Sequence, residues 1–173
     1  MKNKYFRISR EKEFEDIGTL IEMLRPIVTE KTVIVNCSPD FSSMISQRVI
    51  HAYYDNPLQM TNFEMPYPNT PFEEIYPVYC KEFAQNLEPN THYVFIDSGI
   101  LRGRNFKTLH DNLELYAHKS ASYDFACLYC QDNAIFYADY CVEVFSREDD
   151  GMLLFWWENE NSNVFGDLDM IWK

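Results

Sequence analysis

The sequence predicts an α/β domain built on a mostly parallel sheet with flanking helices on both faces. Three observations carry this expectation. Short apolar, β-branched runs alternate with stretches whose apolar residues recur every three or four positions, the rhythm of strand–helix units in a parallel sheet. The 173 residues are 46% hydrophobic and 16% aromatic, enough to bury a core around one sheet. There are only five glycines and no Ser/Pro-rich or repeated tract, which argues against a linker or a tandem array and for a single domain over residues 1–173.

The elements follow in order. Phe14, Ile17, Leu20, Ile21, Leu24 and Val28 give residues 11–29 the period of an amphipathic helix. Thr32 to Cys37 is a β-branched strand ended by Ser38-Pro39-Asp40, after which Met44, Ile45, Val49 and Ile50 resume a helical period. Residues 55–72 hold prolines 57, 66, 68 and 71, with Pro77 just beyond. That composition predicts an irregular excursion, a hood or lid inside the domain. A helix over 72–87 stops at Pro89-Asn90. Tyr93-Val94-Phe95-Ile96 is a fully apolar strand, followed by the turn Asp97 to Asn105 and a helix through Phe106, Leu109, Leu113 and Tyr116. Strands at Phe125–Tyr129, Val142–Phe145 and Leu153–Trp157 complete the alternation. In such folds ligands bind beyond the carboxyl ends of the strands, where Asp97 to Asn105 falls.

Charge narrows the function. Fifteen Lys+Arg against 27 Asp+Glu give −12, so broad nucleic-acid binding, which needs a basic surface, is excluded. No apolar run approaches the roughly 20 residues of a membrane span, and the charged start lacks a signal-peptide core. A cytoplasmic protein is expected. Five cysteines, 37, 80, 127, 130 and 141, sit mostly among apolar neighbours, which fits reduced, packed thiols.

Against this acidic background, Asp97 and Asp111 bracket Arg102, Arg104, Lys107 and His110 with no intervening acid. A glycine-containing turn at a helix N-terminus presents backbone N–H groups to an anion, and two arginines there add phosphate contacts. The alternative is a solvated loop whose arginines pair with nearby acids. Spacing alone leaves both open.

The run Val94-Phe95-Ile96-Asp97-Ser98-Gly99-Ile100-Leu101-Arg102-Gly103-Arg104-Asn105-Phe106 resembles the phosphoribosyl-diphosphate signature of the type I phosphoribosyltransferases: an apolar strand, two acids and a Thr-Gly-x-Thr phosphate loop. The resemblance implies a phosphoribosyltransferase-like fold. It implies Asp97 on the ribose hydroxyls, and Ser98, Gly99, Arg102, Gly103, Arg104 and Asn105 along the phosphate. It extends to Ser38, Asp40 and Ser42 as a second, diphosphate-facing loop. It also reaches Leu153-Leu154-Phe155-Trp156-Trp157-Glu158, similar to the strand ending in Trp-Glu of purine-using members. The match is degenerate. Ser98 replaces the second acid, Arg102 and Asn105 replace the loop threonines, and Leu101 stands where base-salvaging members often carry a carboxylate. The resemblance therefore implies ribose-phosphate or nucleotide binding. If the chain is active, it implies transfer of phosphoribosyl to a nitrogenous base, with Mg²⁺ neutralising the diphosphate. A catalytically inactive binding or regulatory protein acting through protein partners is the alternative.

Other candidates are weaker. Cys127-Leu128-Tyr129-Cys130 lacks a second pair, and residues three apart in a strand are expected on opposite faces. Histidines 51, 92, 110 and 118 sit in no metal or nucleophile motif. Trp156 or Trp157 offers a ring to stack on a base, the alternative being ordinary packing. The 12 Tyr and 13 Phe suggest a homodimer surface.

Overall fold

A computed structural model describes residues 5–37, 42–53, 58–63, 72–146 and 152–155. The elements are β1 (Tyr5–Ile8), α1 (Arg10–Leu24), β2 (Thr32–Asn36), α2 (Ser42–Ala52), β3 (Gln59–Asn62), α3 (Phe72–Gln85), β4 (His92–Ile100), α4 (Arg104–Tyr116), β5 (Ser122–Gln131), β6 (Tyr140–Phe145) and β7 (Met152–Phe155). Five strands form one all-parallel sheet in the order β3-β2-β4-β5-β6. β1 and β7 pair in parallel as a separate ribbon.

Side-chain alternation along the strands builds two cores. Ile34 of β2 with Val94 and Ile96 of β4 face one side, where α1 brings Ile17, Leu20 and Leu24 and α2 brings Ile45 and Val49. Val35, Phe95 and Phe125 face the other, against Cys80 and Ala84 of α3 and Phe106, Leu109 and Leu113 of α4. Fully burying one such side chain contributes about 1.5–3 kcal/mol, so the period-2 pattern fixes the sheet between its two helix layers. A polar seam fastens α1 to the far side of the sheet: Lys12 pairs with Asp16 at 3.0 Å and with Glu143 of β6 at 2.6 Å, and the Tyr129 hydroxyl donates to Asp16.

Several elements depart from the sequence-based expectation. α1 starts where the Ser9 side chain accepts the Lys12 N–H. It ends at Leu24 rather than at residue 29, because Pro26 has no N–H to extend the ladder. β1 carries no periodic signal in its four residues. The excursion expected to be irregular at 55–72 contains β3, whose pairing with β2 through Val33↔Gln59 to Asn36↔Asn62 makes it an edge strand; residues 55–57 and 64–71 lie outside the described residues. β4 runs on through Ile100, four residues beyond the apolar core of the run. β5 and β6 are parallel with no helix between them. The chain returns through 132–139, opened by the Ala134 N–H bond to the Gln131 carbonyl at 3.0 Å. Ala134, Phe136 and Ala138 then pack on the α4 face.

From β2 the chain leaves through α2 on one face to the edge strand β3, then returns past β2 to β4, whose α3 and α4 lie on the opposite face. The connections beyond β2 and β4 therefore diverge, which is the switch point where open α/β sheets bind ligands.

Candidate functional site

At the end of β4, Asp97 follows the buried Ile96 and lies level with the first residue beyond β2, since the Cys37 N–H donates to the Ile96 carbonyl at 3.0 Å. Its Oδ1 accepts the Ser98 N–H at 2.6 Å and the Ser98 hydroxyl at 3.3 Å. Burial pushes the carboxyl up to about 6, against the opposing pull of the Ser98 and Gly99 amides. The same burial raises the neighbouring Cys37 thiol well above its usual range, with the Asp97 charge adding to the effect. A carboxylate offers several acceptor sites over its two oxygens, so it can take ligand hydroxyls beside the Ser98 and Gly99 amides.

Ser98 and Gly99 stay within β4: Gly99 pairs with Tyr129, and a side chain placed on it would meet Leu153 of β7 at 2.9 Å. The turn proper is Leu101 to Gly103. Gly103 is the N-cap of α4 with φ 74°, a left-handed conformation, and supplies no side-chain hydrogen bond to the helix. The Lys107 N–H is taken by the Gly103 carbonyl at 2.9 Å, the first bond of the helix, which places the amides of Arg104, Asn105 and Phe106 at the helix start. They carry the positive end of the helix dipole.

Neighbours hold this turn rigidly. The Ile135 N–H donates to the Arg102 carbonyl at 3.0 Å. The Phe136 backbone comes within 2.8 Å of where a Gly103 Cβ would stand, so only glycine fits. From α3, the Tyr76 hydroxyl donates to the Asn105 carbonyl at 3.0 Å, and burial pushes that hydroxyl up. Sequence reasoning missed Cys37, Tyr76, Ile135 and Phe136, whose contributions depend on long-range packing with no local motif.

The basic run is split by the fold. Lys107 turns to Asp111 at 2.6 Å, and His110 packs among Tyr123, Phe125 and Phe136. Arg102 and Arg104 remain exposed beside the turn, and Arg104 has no ion pair among the described residues. Ser38 and Asp40 lie outside the described residues, as do Trp156 and Trp157. Ser42 opens α2. Among the described residues no three His, Cys, Asp or Glu side chains could hold a metal ion, and no helix is long and apolar enough to cross a membrane.

Solved structures share this architecture. The chain is similar to the purine phosphoribosyltransferase from Pyrococcus horikoshii Ot3, with TM-score 0.63 and 16% identity over 90% of this chain and 95% of that one. The Helicobacter pylori xanthine-guanine-hypoxanthine phosphoribosyltransferase gives 0.62 and 12%, over 94% and 99%. This is a phosphoribosyltransferase fold. A hypothetical protein from Neisseria gonorrhoeae with bound ppGpp gives 0.59 and 10%, over 100% and 99%. No family model and no curated protein matches the sequence.

Proposed function

We propose that the chain binds a ribose-phosphate ligand, a nucleotide or phosphoribosyl diphosphate, in the crevice beyond β2 and β4. The observation that carries this reading is the juxtaposition of a half-buried Asp97, its carboxyl raised, with a helix start capped only by a left-handed glycine. The phosphate would take the amides at the start of α4, with Arg102, Arg104 and Asn105 around it. Asp97 would accept the ribose hydroxyls. The phosphoribosyltransferase fold supports the reading, as do the GMP and ppGpp named for two structural neighbours.

The described residues build no protein cage for Mg²⁺. An ion accompanying a diphosphate ligand would be held chiefly by phosphate oxygens and water, the usual preference of Mg²⁺, with Asp97 as the carboxylate on offer.

A second reading, a protein that binds without transferring, is favoured by the serine beside Asp97. The Ser98 N–H and hydroxyl both engage Oδ1, where the family signature has a second acid. Calorimetry with phosphoribosyl diphosphate, GMP and ppGpp, with and without Mg²⁺, tests the binding. Affinity that falls in Arg102→Ala and Arg104→Ala supports the site; binding unchanged in both variants overturns it. Diphosphate release across nucleobases then separates the readings: binding without release selects the silent protein.

A further inference from the structure

Three of the five cysteines converge on one spot of the sheet. Cys127 of β5 and Cys141 of β6 are direct partners in the parallel ladder. The pairing register runs on unchanged through Leu128 on both sides of β5, yet Leu128 and Tyr129 both join the α1/α2 core. The alternation therefore slips by one residue. Cys130 falls on the same face as Cys127, in the α3/α4 core, with Cys141 packed against both. The expectation that residues 127 and 130 point to opposite faces is corrected by this slip.

The three thiols differ in access. Cys127 and Cys130 are fully buried, whereas Cys141 is half-buried on β6, the edge strand. The Cys141 Sγ lies 3.2 Å from the Glu143 carbonyl oxygen. Hydrogen bonds from Cys127 and then Cys130 pull the Cys141 thiol down, while Cys127 is pushed up by its bonds to Cys130 and Cys141 and by burial. A lowered, accessible thiol beside a second thiol is the arrangement of a peroxide-reactive cysteine with its resolving partner. Cys37 is raised by burial instead, and Cys80 is pushed up to about 12 by the same cause.

We propose that Cys141 and Cys127 form an oxidant-responsive disulfide that ties the edge strand β6 to β5. Neighbouring strands lie about 4.7–4.9 Å apart, inside the roughly 4.4–6.8 Å between Cα atoms that a disulfide spans. The oxidant is hydrogen peroxide. The Cys141 sulfur attacks one peroxide oxygen, the O–O bond breaks, and the departing hydroxide leaves as water with the Cys141 proton. The Cys127 sulfur then displaces hydroxide from the resulting sulfenic acid, forming S–S and releasing a second water with the Cys127 proton. Two thiols lose two electrons in total and the peroxide is reduced to two waters. The closed ring spans 127–141 and contains the 132–139 return, whose Phe136 backbone presses on Gly103.

Hydrogen peroxide added to the folded wild-type chain, followed by alkylation in denaturant without reductant and peptide mass mapping, tests this. The expected product is a Cys127–Cys141 cross-linked peptide lighter by two hydrogens and reversed by dithiothreitol, with the other three of the five cysteines alkylated. Cys130→Ser keeps the cross-link and Cys141→Ser abolishes it. In the oxidised wild type, amide exchange across 132–139 slows. A wild-type chain in which Cys141 stays reduced, stops at sulfinic acid or pairs with a different cysteine overturns the proposal without recourse to any variant. Unchanged exchange across 132–139 in the cross-linked chain overturns its reach to the return segment.

Discussion

At the amino end of the sheet, Thr32, His92 and Asp124 stand side by side on β2, β4 and β5. His92 Nε2 meets Asp124 Oδ2 at 2.8 Å, its Nδ1 meets the Thr32 hydroxyl at 3.3 Å, and that same oxygen accepts the Thr29 N–H at 2.9 Å. At the carboxyl end, Asp97 is half-buried with its carboxyl raised, the α4 start has no side-chain cap, and Arg104 is exposed beside it. Both ends are made by the same strands. One closes its hydrogen bonds within the protein, which stabilises; the other brings a raised carboxyl, a helix start and an exposed arginine to the strand ends where the ligand is proposed to bind. The contrast sets a histidine–carboxylate pair bonded within the protein against the carboxylate to which the proposed function gives the ribose hydroxyls.

The largest expected effect comes from Gly103→Ala. A left-handed φ and the Phe136 backbone at 2.8 Å together cost about 2–4 kcal/mol, read by urea denaturation, and ligand binding is lost with the turn.

Asp97→Asn comes next and keeps an acceptor for the Ser98 amide. A folded-state value of about 6 lies above that of the unfolded chain, so between roughly pH 4 and pH 6 the folded protein holds the proton more tightly. Wild-type stability therefore falls as pH rises through that window and stays lower above it. Relative to Asp97→Asn, the wild type loses on the order of 2–3 kcal/mol between pH 4 and pH 7. Denaturation at both pH values measures this, and parallel pH dependence in the two proteins would mean that the carboxyl is not desolvated.

Arg104→Ala weakens nucleotide binding about tenfold, or about 1.4 kcal/mol, while stability moves by less than about 0.5 kcal/mol; titration calorimetry and thermal melting check the two halves. The smallest effect belongs to the amino end, where His92→Ala lowers stability by about 1 kcal/mol and leaves ligand affinity where it was.

The layered fold was legible because Ile34 and Val35, and Tyr93 to Ile96, are buried in strands covered on both faces, and such strands read as unbroken apolar runs. α4 was legible through Phe106, Leu109 and Leu113 at helical spacing. β1 and β3 were not, because edge strands of four residues carry too few buried positions to show a period. The return between β5 and β6 was hidden for a different reason. Ala134, Phe136 and Ala138 alternate like a strand but pack over α4 instead of pairing, and sequence does not distinguish the two. In the candidate site, Asp97 and Gly103 stood out in the signature. The supports at Tyr76 and Phe136 did not, since a hydroxyl reaching Asn105 and a backbone pressed on Gly103 leave no local pattern.

The contrast between the two ends is tested most directly by backbone amide shifts in a ¹⁵N-labelled sample titrated with GMP. Perturbations centred on Asp97 and on Gly103 to Phe106, with Thr32, His92 and Asp124 unmoved, are the expected result. Shifts centred on the amino end, or none at the start of α4 at saturating nucleotide, would contradict it.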